Sequence, residues 1–228
     1  MSKAIRVIFL WVAGLLGGVL LACAAVYFFP YAHVSRAERM LAAPESCASR
    51  AESFFMEIPG NIVAATHGGS FPFDPFPPGM ALLGDPALAS GLAVLTKLRD
   101  ARGEVIGFAT ELETISPQSS LLRGLLMTDT YWSLILPGRG TVHLYQTENN
   151  WKFVKKVVLP AVLKRSPWSG NWPDLHTHGP GTDGRGRIVG GSGEFRGISG
   201  SFVEIGTTRS FSPDGGLAGE IELRLCYE

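Results

Sequence analysis

Seven side chains that can move protons fall in short alternating segments of this chain: Glu111, Glu113, Asp129, Tyr131, His143, Tyr145 and Glu204. Carboxyl, imidazole and phenol groups act as general acids or bases once burial or a neighbouring charge shifts their pKa. On the inside of a barrel they would supply such groups. Facing water, they are the ordinary polar positions of half-buried strands, and the alternation does not say which face is which. Asp174, His176 and His178 form a second grouping, whose carboxylate and imidazoles suit zinc or copper; the same residues also read as a polar loop. The three cysteines, Cys23, Cys47 and Cys226, make no CxxC or CxxCH. The run GSGEFRG has one residue too many for a dinucleotide loop, and no Gly-Lys-Ser/Thr completes a phosphate loop. We therefore expect no cofactor and no resident metal.

The elements that must position these groups are mostly β. Gly91–Leu98 and 104–114 flank a tight turn, as do Tyr131–Leu136 and Thr141–Thr147 around Pro137-Gly138-Arg139-Gly140. Further strands are predicted at 185–190, 201–208 and 217–226. In the last, Leu217, Ile221, Leu223 and Leu225 alternate with Glu220, Glu222 and Arg224. Residues 152–165 fit a strand or a basic helix interrupted at Pro160. A short helix is predicted over 46–57 with Ser46 as its cap. The stretch 58–86 reads as irregular or extended-edge chain whose Phe71, Phe73 and Phe76 cover an apolar surface, and 164–184 as a long connection rich in Trp, Pro and Gly. Its Trp168 and Trp172 suit a lid or a contact surface. Several short alternating strands with glycine turns suggest an antiparallel barrel or sandwich.

The most specific motif is Gly190-Gly191-Ser192-Gly193-Glu194-Phe195-Arg196-Gly197-Ile198-Ser199-Gly200, with a strand on each side. Its glycines allow positive φ and close backbone crossing, and Phe195 would be the inward anchor. The segment resembles the glycine-rich hairpin of the allene oxide cyclase and dirigent barrel superfamily at Gly190, Gly191, Ser192, Gly193, Phe195, Gly197 and Gly200. The resemblance implies a mainly β chain built as an eight-stranded antiparallel barrel, often trimeric in plant relatives, with an apolar central pocket. It also implies a fold used for stereoselective ring closure or radical coupling. The matching residues are structural, and none of the family's catalytic groups is carried over with them.

Before the barrel, Val7 to Phe29 is a run of 23 residues without a charge, long enough to cross a bilayer as a helix. Lys3 and Arg6 precede it, which puts the N-terminus in the cytoplasm. A cleaved signal peptide and a lipobox ending at Cys23 are the rival readings, and the apolar run continuing past Cys23 disfavours both. Gly14, Gly18 and Ala22 recur every four residues on one helical face, the spacing of paired membrane helices. Outside the cytoplasm, Cys47 and Cys226 could form a disulfide that ties the two ends of the main domain together.

Twenty cationic and 20 acidic side chains leave no net charge, which argues against nucleic-acid binding. The expected organisation is a stub and transmembrane helix over 1–30, a tether and short helix over 31–60, and an extracytoplasmic barrel over 61–228. The expected setting is the inner membrane, spanned once. Two roles follow as expectations. In one, the barrel binds an apolar small molecule and acts as a cyclase or isomerase. In the other, it is a non-catalytic accessory subunit of a membrane complex or a homo-oligomer, in contact with lipid and docked through its helix and Trp-rich loop.

Overall fold

The computed structural model describes residues 3–28, 47, 50–67 and 91–228. Helix α1 spans Lys3–Phe28. Within it, Ile5–Ala25 is long and apolar enough to cross a membrane and touches little of the protein. Pro30, Ser46 and the phenylalanines of 71–76 lie outside the described residues.

Eleven strands follow among the described residues: β1 Arg50–Ile58, β2 Ile62–His67, β3 Gly91–Arg99, β4 Val105–Ile115, β5 Met127–Leu136, β6 Gly140–Asn149, β7 Trp168–Leu175, β8 Thr177–Gly179, β9 Gly186–Gly191, β10 Gly200–Phe211 and β11 Leu217–Tyr227. Their pairings make eight staves. β1 and β2 both run antiparallel to β3, Phe55 opposite Arg99 and Ala65 opposite Val94, so they form one strand interrupted at Pro59-Gly60-Asn61. β7, β8 and β9 similarly form one broken strand between β6 and β10. Each stave pairs with the next in chain order, and β1 pairs with β11 at nine positions to close an eight-stave antiparallel barrel. Closure leaves no long free edge.

The short helix expected over 46–57 is absent: from Arg50 this segment is β1. Glu52, Phe54, Met56 and Ile58 alternate toward the interior, and the period of two, with a partner strand waiting in β11, overrides helical propensity. The barrel therefore begins inside the segment assigned to the tether. Residues 152–165 are helical. A helix (α2, residues 151–164) runs through a wide turn at Val154–Val158 into Leu159–Lys164, with Pro160 in the first turn of that last stretch, where its missing N–H is tolerated. The long connection over 164–184 is not irregular, since it contributes β7 and β8 to the wall.

One end of the barrel is apolar and closed. Phe54, Leu98, Trp132, Leu134, Leu136, Val142, Leu144, Phe202, Leu223 and Leu225 fill it. The glycine motif seals this end: Phe195 is buried, Arg139 lies over its ring at 5.0 Å, and Arg139 donates to Glu52 and Glu194. Gly193 has φ +62°, and a Cβ there would stand 2.2 Å from the Arg139 carbonyl, so this crossing requires glycine. Cys47 and Cys226 are joined by a disulfide across a separation of 179 residues. In the chain-entropy view, a loop of that length stabilises by up to about 5 kcal/mol.

β4 turns a small and acidic face inward. Gly107, Ala109, Glu111 and Glu113 point inward, while Phe108 and Leu112 are on the outer face, Leu112 being 53% exposed. The register sets Ala109 opposite Leu134 and Glu111 opposite Trp132, and a Cβ at Gly107 would stand 2.1 Å from the Ile135 carbonyl. An eight-stave barrel has room for one large layer here, and β5 fills it, so β4 turns its small and acidic residues inward.

Candidate functional site

Above the apolar core the interior becomes a polar belt. β4 contributes Glu111 and Glu113, β5 Thr128 and Thr130, and β6 Gln146 and Glu148. β10 contributes Glu204, and the β7–β8 stave Asp174, His176 and Thr177. The belt lies between the core below and an apolar cap above, where Val157, Val158 and Ala161 of α2 pack with Phe211, Trp168, Trp172 and Leu217. Glu148 and Glu204 are almost wholly buried, whereas Glu111, Glu113 and His176 point inward yet keep partial exposure. These three side chains therefore keep contact with solvent.

Glu204 is held from several sides. Trp132 Nε1–H donates to its Oε2 at 2.8 Å, the Gln146 amide donates to the same oxygen, and His176 Nδ1 lies 3.1 Å from Oε1. Gln146 also donates to Glu148 Oε1 at 2.8 Å and accepts from the Thr177 hydroxyl at 2.6 Å. That hydroxyl in turn accepts the Glu204 backbone N–H at 2.7 Å. The donors of Trp132, Gln146 and Thr177 are all used, which fixes these side chains in place. Gly206 makes room for the imidazole, since a Cβ there would lie 2.4 Å from His176 Nε2. Lys152, on α2, donates to Asp174 at 3.0 Å and sits over the Trp172 ring. Thr130 is fully buried without a well-formed hydrogen bond, although it lies near enough to Glu148 to favour that group's anion.

The electrostatics follow from burial. Desolvation, reinforced by the charges of Glu204, Glu113 and Glu148, pushes Glu111 well above the usual carboxyl range. Desolvation and Glu204 likewise raise Glu148 strongly. Glu113 is raised by burial, against the opposing hydrogen bond from Thr128. For His176, burial disfavours the charge, but the hydrogen bond to Glu204 and the charges of Glu204, Glu148 and Asp174 outweigh it and lift the ring to about 9. The belt thus sets carboxyl groups of raised proton affinity beside an imidazole whose charged form is favoured, an arrangement suited to proton transfer.

Of the seven proton-moving residues singled out in the sequence, Glu111, Glu113 and Glu204 meet in this belt. Asp129, Tyr131, His143 and Tyr145 are on the outer wall. There Tyr131 and Tyr145 stack at 4.7 Å, Tyr145 donates to Asp129, and Ser133 Oγ lies 3.0 Å from His143 Nδ1. The Asp174, His176, His178 grouping is divided. Asp174 pairs with Lys152, and His178 follows the inward Thr177 and so takes the opposite face. Glu148, His176 and Glu204 instead bring ligand-type atoms within 4.8 Å of one another, and these could hold a cation. Gln146 and Glu148 are not among the sequence candidates, while Lys152 stands there only within the basic stretch 152–165 and Thr177 only between the two histidines. A signal for two of them was present: Gln146 and Glu148 continue the strand face of Val142 and Leu144, and polar side chains on a buried face are the informative exception.

Fold and belt together define a closed antiparallel barrel with an acid–imidazole interior. No protein-family model and no curated protein matches the chain. Sixteen solved chains are similar to it, among them the following three. The exo-specific intermolecular Diels-Alderase AbnU matches with a TM-score of 0.34 and 13% identity over 77% of this chain and 96% of the other. The pterocarpan synthase dirigent protein PsPTS1 matches with a TM-score of 0.38 and 14% identity over 78% and 94%. A nonspecific heme-binding cyclase that catalyses [4 + 2] cycloaddition during neoabyssomicin biosynthesis matches with a TM-score of 0.35 and 13% identity over 87% and 80%.

Proposed function

We propose that this is a membrane-anchored, extracytoplasmic barrel that binds an apolar small molecule and rearranges it by proton transfer, as a cyclase or isomerase. The observation that carries the reading is the inward-facing cluster of Glu111, Glu113, Glu148, Glu204 and His176 above an apolar core, with burial and mutual charge raising the proton affinity of Glu111, Glu113 and Glu148. A neutral glutamate or His176 would donate a proton to an oxygen of the substrate. A carboxylate of the belt would then take a proton from carbon, so the net change is isomerisation or ring closure with no proton gained or lost. The packed core below and the apolar cap above would restrict the substrate's conformation while this happens. Native mass spectrometry of the full chain in mild detergent tests the proposal. We expect a non-covalent small-molecule adduct that is lost in the Glu111→Gln/Glu148→Gln double variant. A wild-type barrel free of any adduct would sink it.

A second reading, an accessory subunit of a membrane complex, draws on a different observation. The outer faces of β4 and β5 pair Phe108 with Ile135 and Leu112 with Tyr131, all exposed, and Gly14 and Gly18 on α1 meet no neighbour. In the same spectra, a protein bound at fixed stoichiometry would favour this reading.

A further inference from the structure

We propose that the polar end of the barrel is a docking surface for an anionic lipid bilayer, so that an apolar ligand would enter the belt from the membrane. The docking rests on reading α1 as an anchor; the delivery of a ligand rests also on the function proposed above.

Two described loops at this end carry exposed apolar side chains next to cations. The β4–β5 connection presents Leu121, Leu122 and Arg123, and the end of α2 presents Leu163, Lys164 and Arg165. Leu122 is 77% exposed and Leu163 76%. Both loops belong to one surface. Asn149 Nδ2 donates to the Gly124 carbonyl, Asn150 N–H donates to the Leu126 carbonyl, and these asparagines lead directly into α2. Neither 116–126 nor 151–167 contains an acidic residue; among the other described connections near this end, 180–185 carries Asp183, paired with Arg185, and 212–216 carries Asp214. Exposed leucines beside Lys and Arg suit the boundary between acyl chains and anionic headgroups. The closed end differs: Asp100, Arg102, Glu104, Glu194 and Arg196 line its turns, and the exposed large apolar residues near it, Val105, Ile135 and Val189, lie on the strands.

The chain path permits this orientation. β1 starts at the closed end, so the tether must reach past the height of the barrel. Eighteen residues separate Phe28 from Cys47 (47 − 28 − 1), and a chain of that length spans up to about 60 Å. A tilted strand such as the 10-residue β5 rises about 25 Å.

The test uses the full chain in a Cys23→Ser background, with a spin label on Leu122→Cys, Leu163→Cys or, at the closed end, Arg102→Cys. It is reconstituted in phosphatidylcholine nanodiscs with and without phosphatidylglycerol. We expect the labels at 122 and 163 to show a several-fold higher ratio of oxygen to water-soluble nickel-complex accessibility than the label at 102. The difference should grow with phosphatidylglycerol and lose that increment in Lys164→Glu/Arg165→Glu. Equal aqueous accessibility at all three sites overturns the proposal, as does protection of 102 alone. Labels shielded from both oxygen and nickel indicate a protein partner and also overturn it. A chain that does not enter nanodiscs overturns the anchor reading along with it.

Discussion

The two ends of the barrel are made from the same eight staves and solve opposite problems. At the closed end, large apolar side chains alternate inward, a disulfide joins β11 to the chain ahead of β1, and Arg139 clamps β1 and the glycine motif together. At the polar end, the same inward positions carry Glu111, Glu113, Glu148 and Glu204; burial and repulsion raise the proton affinity of the first three, and His176 lies 3.1 Å from Glu204. A fold that stabilises itself at one end can hold an electrostatically unfavourable arrangement at the other. Strain of that kind concentrates where chemistry is done.

The largest expected effect lies at the closed end. Phe195→Ala removes a fully buried ring beneath Arg139 and should destabilise by about 3–5 kcal/mol in urea unfolding. A loss under about 1 kcal/mol would mean that the glycine motif does not seal the barrel.

The polar end should respond to pH with a definite sign. The folded-state pKa of Glu111, Glu113 and Glu148 is raised, so the stability tied to their protons is complete below the unfolded value of 4.5 and is lost as pH rises through the folded values. His176 has the same sign: its contribution is complete below 6.5 and lost as pH rises through about 9. The melting temperature should therefore fall between pH 5 and 9. Glu111→Gln should flatten that slope and raise the melting temperature at pH 8 by a few degrees. A slope unchanged by Glu111→Gln would place Glu111 outside the coupled belt.

The smallest effect is expected on the outer wall. His143→Ala removes an exposed ring that meets Ser133 and should change stability by no more than about 0.5 kcal/mol, leaving the small-molecule adduct in place. Loss of the adduct would move the site out of the barrel interior.

Much of the wall was legible in the sequence, because alternation and glycine turns are local signals. β3, β5, β6, β10 and β11 fall where the pattern put them. β1 was misread because Ser46 and the residues after it carry a helical start signal, while the strand's partner lies more than 150 residues away in β11. β7 and β8 were hidden by Trp, Pro and Gly in a segment that alternates poorly by itself and is held by β10 and β6. The belt was legible in part. Glu111, Glu113 and Glu204 could be named as candidates, but the same rule also named Asp129, Tyr131, His143 and Tyr145, because a period of two separates the faces without saying which is inner.

By itself, the sequence determined an uncharged, membrane-length N-terminal segment, a β chain with a glycine-rich hairpin, and two cysteines suitably placed for a bridge. These depend on composition and on neighbours along the chain. The tertiary structure decided which face of β4 is buried, that Gln146 and Glu148 join Glu204 and His176, and that the polar residues gather at one end of the barrel. Those outcomes depend on closure, because side chains from staves far apart in sequence compete for one interior volume, and the largest apolar set takes the core.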